Sequence, residues 1–493
     1  MAESVSFIVD LVAGLFMVLL ALSVLALVYM YIVDKKQHVH AIRHNYPVIG
    51  RLRYFFEKQG EFFRQYFFAM DREEMPFNRA ERSWVYRAAK NVDNTIAFGS
   101  TRNLDPAGTI LFMNCPFPTL DQDATEPGEV TIGPYAQKPY TTKSIFNISG
   151  MSYGAISKPA VRALSQGAKK AGCWMNTGEG GLTSYHLESG ADLVVQIGTA
   201  KYGVRNELGH LSAEKLKQAA SHEQVRMFEI KMSQGAKPGK GGILPGKKVT
   251  AEIAHIRGIP EGQDSISPNG HIDIRNVSDL LDMVEFVRKT TGKPVGFKAV
   301  IGAYEWIDQL LEAIKHRGEE SAPDFITIDS ADGGTGAAPQ PLMDYVGLTL
   351  KESLPYVVSR LQHHGLRDRI KVIASGKLIT PSKVAWAIAL GADFVTSARG
   401  YMFALGCIQS LQCNKDTCPT GIATQDVKRQ QGLDVTNKTE RVANYNHFIN
   451  YSLGIMAHSC GVSNIREITH KHVRVVTENG LSISLDKMYE HYQ

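Results

Sequence analysis

The sequence predicts an α/β chain: a (β/α)8 TIM barrel preceded by an N-terminal transmembrane helix and a helical pre-barrel segment. Three observations predict it. From about Lys143 onward, eight short apolar runs alternate with helical stretches. Each run ends in glycine or small polar residues, as buried parallel strands do at the face where a barrel carries its chemistry. Ahead of them, Leu11 to Val33 reads LVAGLFMVLLALSVLALVYMYIV, without one charge.

That first run is long enough to cross a bilayer as a helix. A cleaved signal would want a basic leader, and this leader carries Glu3 and Asp10 instead. A retained anchor over residues 1–36 is therefore expected, a buried core helix being the plainer alternative. Lys35, Lys36 and Arg43 follow the run, which places the rest of the chain in the cytoplasm as a single-pass protein. Residues 37–140 form the pre-barrel segment. Up to about Asp105 it is aromatic, basic and helical in its spacing, and fits either the membrane surface or packing beside the main domain. Residues 106–140 are rich in Pro, Thr and Gly and read as irregular lead-in.

The barrel is expected over residues 141–430. Its strands are SIFNISG, CWMNTGEGG, LVVQIG, MFEIKMSQG, PVGFKAVIG, FITIDSADGG, KVIASG and FVTSARG. Helices with a usable apolar face lie between several of them, at Lys158–Ala171, Ser278–Thr291, Tyr304–Arg317 and Pro381–Leu390. Ser278 before Asp279 and Thr380 before Pro381 are start signals. Glycine-rich ends follow the second, fourth and sixth strands, where backbone N–H groups can approach a ligand closely. Ser375-Gly376-Lys377 follows the seventh and Ser397-Ala398-Arg399-Gly400 the eighth. Loops at those two places recurrently hold phosphate in this fold, which suits a phosphorylated flavin. Residues 431–493 read as a C-terminal helical extension.

Between Gly406 and Gln425, Cys407, Cys413 and Cys418 are spaced C-x5-C-x4-C, with Pro419 next. Three thiolates suit a three-iron cluster or a four-iron cluster with one open iron. Structural zinc wants a fourth ligand, and the stretch holds no His. Three ordinary buried cysteines are the plain alternative. The chain has 493 residues, six of them cysteine, and a net charge of only +5. Charge gives no reason to expect a nucleic-acid partner, and so few cysteines do not make a secreted disulfide framework. Cys115, Cys173 and Cys460 read as structural, and His363, His364, His470 and His472 as surface or packing residues.

Taken in order, ISGMSYGAIS, NTGEGG, IKMSQGAKPGKGGILPGKKV, DGGTGAAP and LGC-x5-C-x4-CPTGIATQ resemble the FMN-binding synthase domain of glutamate synthase, over about residues 143–430. The aromatic region ahead of the barrel resembles that of stand-alone, membrane-anchored members. The resemblance implies FMN, with Gly150, Met151 and Ser152 against its ring and Asn176 and Gln196 as polar neighbours. It implies Lys298 at the edge of the ring, and Gly334, Gly376, Lys377, Ser397 and Arg399 around the phosphate. It implies a [3Fe-4S] cluster on Cys407, Cys413 and Cys418. For a 2-oxoglutarate substrate it implies Lys231 and Lys237 as carboxylate clamps, Arg257 as a further cation and Glu179 as the acid/base group.

The implied reaction is reductive amination to L-glutamate, with electrons from a ferredoxin or a reductase subunit. The chain is expected to work without its own glutaminase domain, on free ammonia or on ammonia from a partner. It departs from the family pattern at GGILPG, where Ile243 stands for an expected Gln, and at SPNGHIDI, which keeps His271 and Asp273. Those two either brace their loop or join the chemistry. Two further functions stay open: an FMN and iron–sulfur oxidoreductase on another amino or keto acid, and a non-catalytic electron-transfer subunit at the membrane.

Overall fold

The computed structural model of the chain describes residues 2–492. The chain divides into two compact units, Met1–Glu81 and Arg82–Gln493. In the first unit, a helix Ala2–Lys36 is followed by the short helix Ala41–Asn45, the helix Gly50–Phe63 and a π-helical turn, Arg64–Phe68. Its segment Val5–Lys36 is long and apolar enough to cross a membrane, and its most apolar stretch is unburied.

The second unit is built on a closed barrel of eight parallel strands. They are β1 (Phe146–Ile148), β2 (Met175–Asn176), β3 (Leu193–Ile197) and β4 (Val225–Lys231). They continue as β5 (Val295–Ala299), β6 (Phe325–Asp329), β7 (Lys371–Ser375) and β8 (Phe394–Ser397). All eight expected runs are strands, and β8 closes on β1 through Val395 opposite Phe146 and Ser397 opposite Ile148. The strands read as unbroken apolar runs because both faces are covered, by side chains inside and helices outside.

The helices begin and end for local reasons. Ser157 accepts from the Ala160 N–H to start Lys158–Ala171, which stops at Gly172 with φ 68°. The helix expected from Ser278 starts one residue earlier, at Val277. Asn276, not Ser278, caps it, because the Asn276 side chain reaches the Asp279 N–H at 3.0 Å.

The lead-in and the tail differ from expectation. Val130–Ile132 and Tyr140–Thr142 form a two-stranded hairpin. Its Ile132 and Tyr140 pack with Trp174, Met227, Phe325 and Phe394, which lie at or near the starts of their strands, so the hairpin closes the barrel floor. The tail is mixed rather than helical. After the long helix Val435–Ser459, strands Val473–Val476 and Ser482–Ser484 join Ile110–Phe112 in an antiparallel sheet. Alternation over so few residues is too short a signal to read in advance.

The long helix lies across Lys158–Ala171 at Gly167, where a side chain would collide with Val442. From it, Asn446 donates to the Phe146 carbonyl at 2.7 Å and Tyr445 to the Ile379 carbonyl at 2.8 Å. Both bonds are buried, and they fix the start of β1 and the loop after β7 relative to each other.

Candidate functional site

Side chains that point inward near the strand ends meet at one mouth of the barrel. A cavity is lined there by Gly150, Gln196, Lys298, Gly334, Gly376, Lys377, Ser397 and Arg399 among others. A second, larger cavity shares Gly150, Gln196, Lys231, Gly334 and Arg399 with it. It extends past Met151, Ser152, Glu179, Lys237 and Arg257 to Cys413. Asn176 lies one layer down, in the barrel interior with Glu229 and Thr327.

The first cavity is bounded by backbone that could carry no side chain. At Gly150 a Cβ would meet Asn176 Oδ1 at 2.8 Å, and at Gly334 it would meet Arg399 Nε at 2.9 Å. At Gly376, with φ +120°, it would meet the Ser330 Cβ at 2.4 Å. Lys377 follows at φ 52° and pairs with Asp332 at 3.3 Å, while Arg399 donates to the Asp332 carbonyl at 3.0 Å. Cations beside bare backbone make a cradle that suits a phosphate-bearing, planar ligand.

Two buried carboxylates that sequence reasoning passed over organise this floor. Glu229 accepts from Asn176 Nδ2 at 2.8 Å, Gln196 Nε2 at 2.7 Å and Thr327 Oγ1 at 2.6 Å. It thereby fixes which amide atoms of Asn176 and Gln196 face up. Asp329 pairs with Lys298 at 3.2 Å and accepts from the Gly235 N–H at 2.8 Å. Burial opposes the charge on both partners. Each charge offsets that for the other, so the Asp329 carboxyl is held below its ordinary value and Lys298 above its own. A signal was present: each acid interrupts an otherwise apolar strand, in MFEIK and FITID.

In the second cavity Lys231 donates to Glu179 Oε1 at 2.7 Å and to Gln234. Glu179 is enclosed by backbone, since a Cβ on Gly198 or Gly242 would come within 2.6 Å of its carboxylate. Burial opposes its ionisation, but Lys231, Lys237 and Arg257 outweigh that and hold its carboxyl below the ordinary value. Burial, reinforced by Lys231, brings Lys237 down to about 8. Arg257 donates to Ser265 Oγ and the Tyr153 carbonyl, both at 3.1 Å. Three cations face one carboxylate, so this wall favours an anionic guest. Ile243, Leu244, Ile156 and Met402 form an apolar wall of the same cavity. His271 donates from Nε2 to the Lys231 carbonyl at 3.1 Å, and Asp273 pairs with Lys201, so neither lines the cavity.

The three cysteines of the loop are free thiols, and only Cys413 lines the cavity. Burial pushes the Cys407 thiol up to about 12, with Cys413 and Cys418 adding to the rise. Cys418 runs the other way. Burial raises it, but the Thr420 hydroxyl and the N–H groups of Ala423, Thr420 and Ile422 prevail and favour its thiolate. Such a donor set fits soft iron. Among the described residues, however, no three His, Cys, Asp or Glu side chains converge as a metal site. Left-handed residues at Gln409, Leu411 and Asp416 turn the loop between the cysteines.

Lys248, unremarked in the sequence, is 1% exposed and lies behind this loop. It donates to the carbonyls of Ala155 at 2.6 Å, Ala423 at 3.1 Å and Cys413 at 3.4 Å. A buried ammonium thus ties the cysteine loop to the loop after β1.

The conserved region in glutamate synthase matches residues 119–463. Over 96% of this chain and 97% of the relative, the sequence is 39% identical to the glutamate synthase large subunit-like protein YerD of Bacillus subtilis. It is 38% identical to the archaeal glutamate synthase [NADPH] of Methanocaldococcus jannaschii, over 65% of this chain and 60% of that one. A solved flavocytochrome b2 mutant with benzoylformate is similar at 12% identity and TM-score 0.48, over 83% of each chain.

Proposed function

The chain belongs to the glutamate synthase family, and from that premise we propose that it reductively aminates 2-oxoglutarate, or a closely related keto acid, to the L-amino acid. The observation that carries the reading is the Glu179–Lys231 pair, flanked by Lys237 and Arg257, in a cavity continuous with the Gly150–Gly334–Gly376 cradle. FMN, when bound, supplies the hydride for the substrate carbon, and a [3Fe-4S] cluster supplies electrons one at a time. Gly150, Met151, Ser152, Gly334, Gly376, Lys377, Ser397 and Arg399 would hold the flavin, with Asn176 and Gln196 below. Cys407, Cys413 and Cys418 would hold the cluster.

The protein's own part is binding, orientation and proton transfer. Lys231 and Lys237 take the two carboxylates of the keto acid, with Arg257 beyond them, so the carbonyl carbon is held against the cradle. Glu179, ionised near neutrality, takes a proton from incoming ammonium. Ammonia adds to the carbonyl, and Glu179 returns the proton to the departing hydroxyl, releasing water and leaving an iminium. Lys298, kept charged by Asp329, stabilises negative charge that gathers at the floor of the cradle. Electrons would come from a ferredoxin or a reductase subunit, and nitrogen as free ammonia or from a partner. Val5–Lys36 would anchor the catalytic unit on the cytoplasmic side of a membrane.

The direct test starts from anaerobically purified, dithionite-reduced protein. Adding 2-oxoglutarate with ammonium should restore the oxidised flavin spectrum and yield glutamate. A second reading, favoured by the apolar wall at Ile243, keeps the cofactors and changes the acceptor. It is the better one if 2-oxoglutarate leaves the flavin reduced while a less polar keto acid reoxidises it.

Two further results are expected. Gly376→Ala should purify with little flavin, read as the ratio of flavin to protein absorbance, because its Cβ would overlap Ser330 from a backbone at φ +120°. Affinity for 2-oxoglutarate, titrated through the flavin spectrum without ammonium, should weaken as pH rises through about 8, where Lys237 loses its proton. In Lys237→Arg that decline should move to higher pH.

A further inference from the structure

The catalytic reading makes no use of the segment after the N-terminal helix. In Gly50–Phe63 and Arg64–Phe68, the residues Phe55, Phe56, Phe62, Phe63, Tyr66 and Phe67 recur at seven-, three- and four-residue spacing and share one helix face. All six are between 44% and 68% exposed. Arg53, Glu57, Lys58, Glu61 and Arg64 fall on the other side of the wheel. A helix in a water-soluble domain buries such a stripe, and an aromatic surface left open on this scale marks a binding face.

The position of the helix identifies what covers it. Asp34 lies near the end of Val5–Lys36, and its side chain is fully buried. Its carboxylate receives Arg43 at 2.8 Å, Arg51 at 2.8 Å and the Val48 N–H at 3.0 Å. Arg51 is the second residue of the aromatic helix, so that helix is locked at its first turn to the last turn of the apolar one. The stripe therefore begins where the apolar helix leaves hydrocarbon, the depth at which aromatic rings and Arg or Lys side chains are most stable together.

We propose that Gly50–Phe68 is an interfacial helix that lies in the plane of the bilayer surface, rings down at the acyl boundary and charged side chains up among the headgroups. Its ligand is the lipid surface itself. Glu57 and Glu61 oppose Arg53, Lys58 and Arg64, so apolar insertion rather than charge supplies the attraction, and a zwitterionic surface suffices. The inference rests on the reading of Val5–Lys36 as a membrane span.

The test uses the full chain in phosphatidylcholine vesicles whose lipids carry bromine either near the headgroup or near the chain end. Phe56→Trp and Phe63→Trp probe the stripe, Glu57→Trp the opposite face and Leu15→Trp the apolar helix. The unsubstituted chain, with its four tryptophans, is the background. Shallow bromines should quench the added emission of Phe56→Trp and Phe63→Trp at least about twofold and leave Glu57→Trp unaffected, whereas deep bromines quench Leu15→Trp. If Leu15→Trp is quenched and both stripe positions are not, the anchor stands and this inference is overturned. If Leu15→Trp is unquenched as well, the span fails and the inference falls with it.

Discussion

Replacing Lys298 by methionine is expected to cost about 3–5 kcal/mol of unfolding free energy, and the bound flavin with it. Methionine fills the space but leaves Asp329 ionised in a buried site, with the Gly235 N–H and the Ser375 hydroxyl to satisfy it. Denaturation followed by tryptophan fluorescence measures the loss, and flavin absorbance measures retention. The pH dependence gives a separate check. Asp329 titrates below its unfolded value, so its share of the stability is complete above the ordinary carboxylate range and is lost as pH falls through the folded value. Lys298 titrates above its unfolded value, so its share is complete below the ordinary lysine range and is lost as pH rises through the folded value. The gap between the two proteins should therefore be constant near neutrality and narrow in strong acid. A variant as stable as the parent at pH 7, with flavin intact, would mean that Asp329 takes up a proton or finds another partner at little cost.

The second large effect is on turnover. Lys231→Met should lower kcat/KM for 2-oxoglutarate by about 100- to 1000-fold, because it removes a carboxylate contact and the partner of Glu179 together. Lys231 is also the nearest cation that holds the Glu179 carboxyl down. Without it burial has less to oppose it, and the acid limb of the pH–rate profile should move upward. Steady-state assays across pH separate the two effects. A merely structural lysine would lower activity uniformly and leave the limb where it was.

Much of this was legible in the chain. The eight strands could be counted because a strand buried on both faces is an apolar run with small residues at its end. Gly376 and Gly334 could be singled out because loops after such runs lack side chains for a reason. Glu229 and Asp329 were visible as charges inside those runs, but each finds its partners on other strands: Asn176, Gln196 and Thr327 for Glu229, Lys298 for Asp329. Lys248 sits in PGKKV, which reads as an exposed basic turn, and nothing local says that three carbonyls close over it.

By itself the sequence determined the order of elements, the glycine-bearing strand ends, the spacing of the three cysteines and the apolar helix at the start, since each is a property of neighbours along the chain. Only the tertiary structure decided that the 130–142 hairpin closes the barrel floor, that the tail adds strands to the lead-in, and that Glu179 is enclosed by Lys231, Lys237 and Arg257. It also decided that Asp34 locks the aromatic helix to the helix before it. The physical reason is common to all of these. A buried charge or an open apolar face is stable only through groups that folding brings from distant segments, and no local pattern records which groups those are.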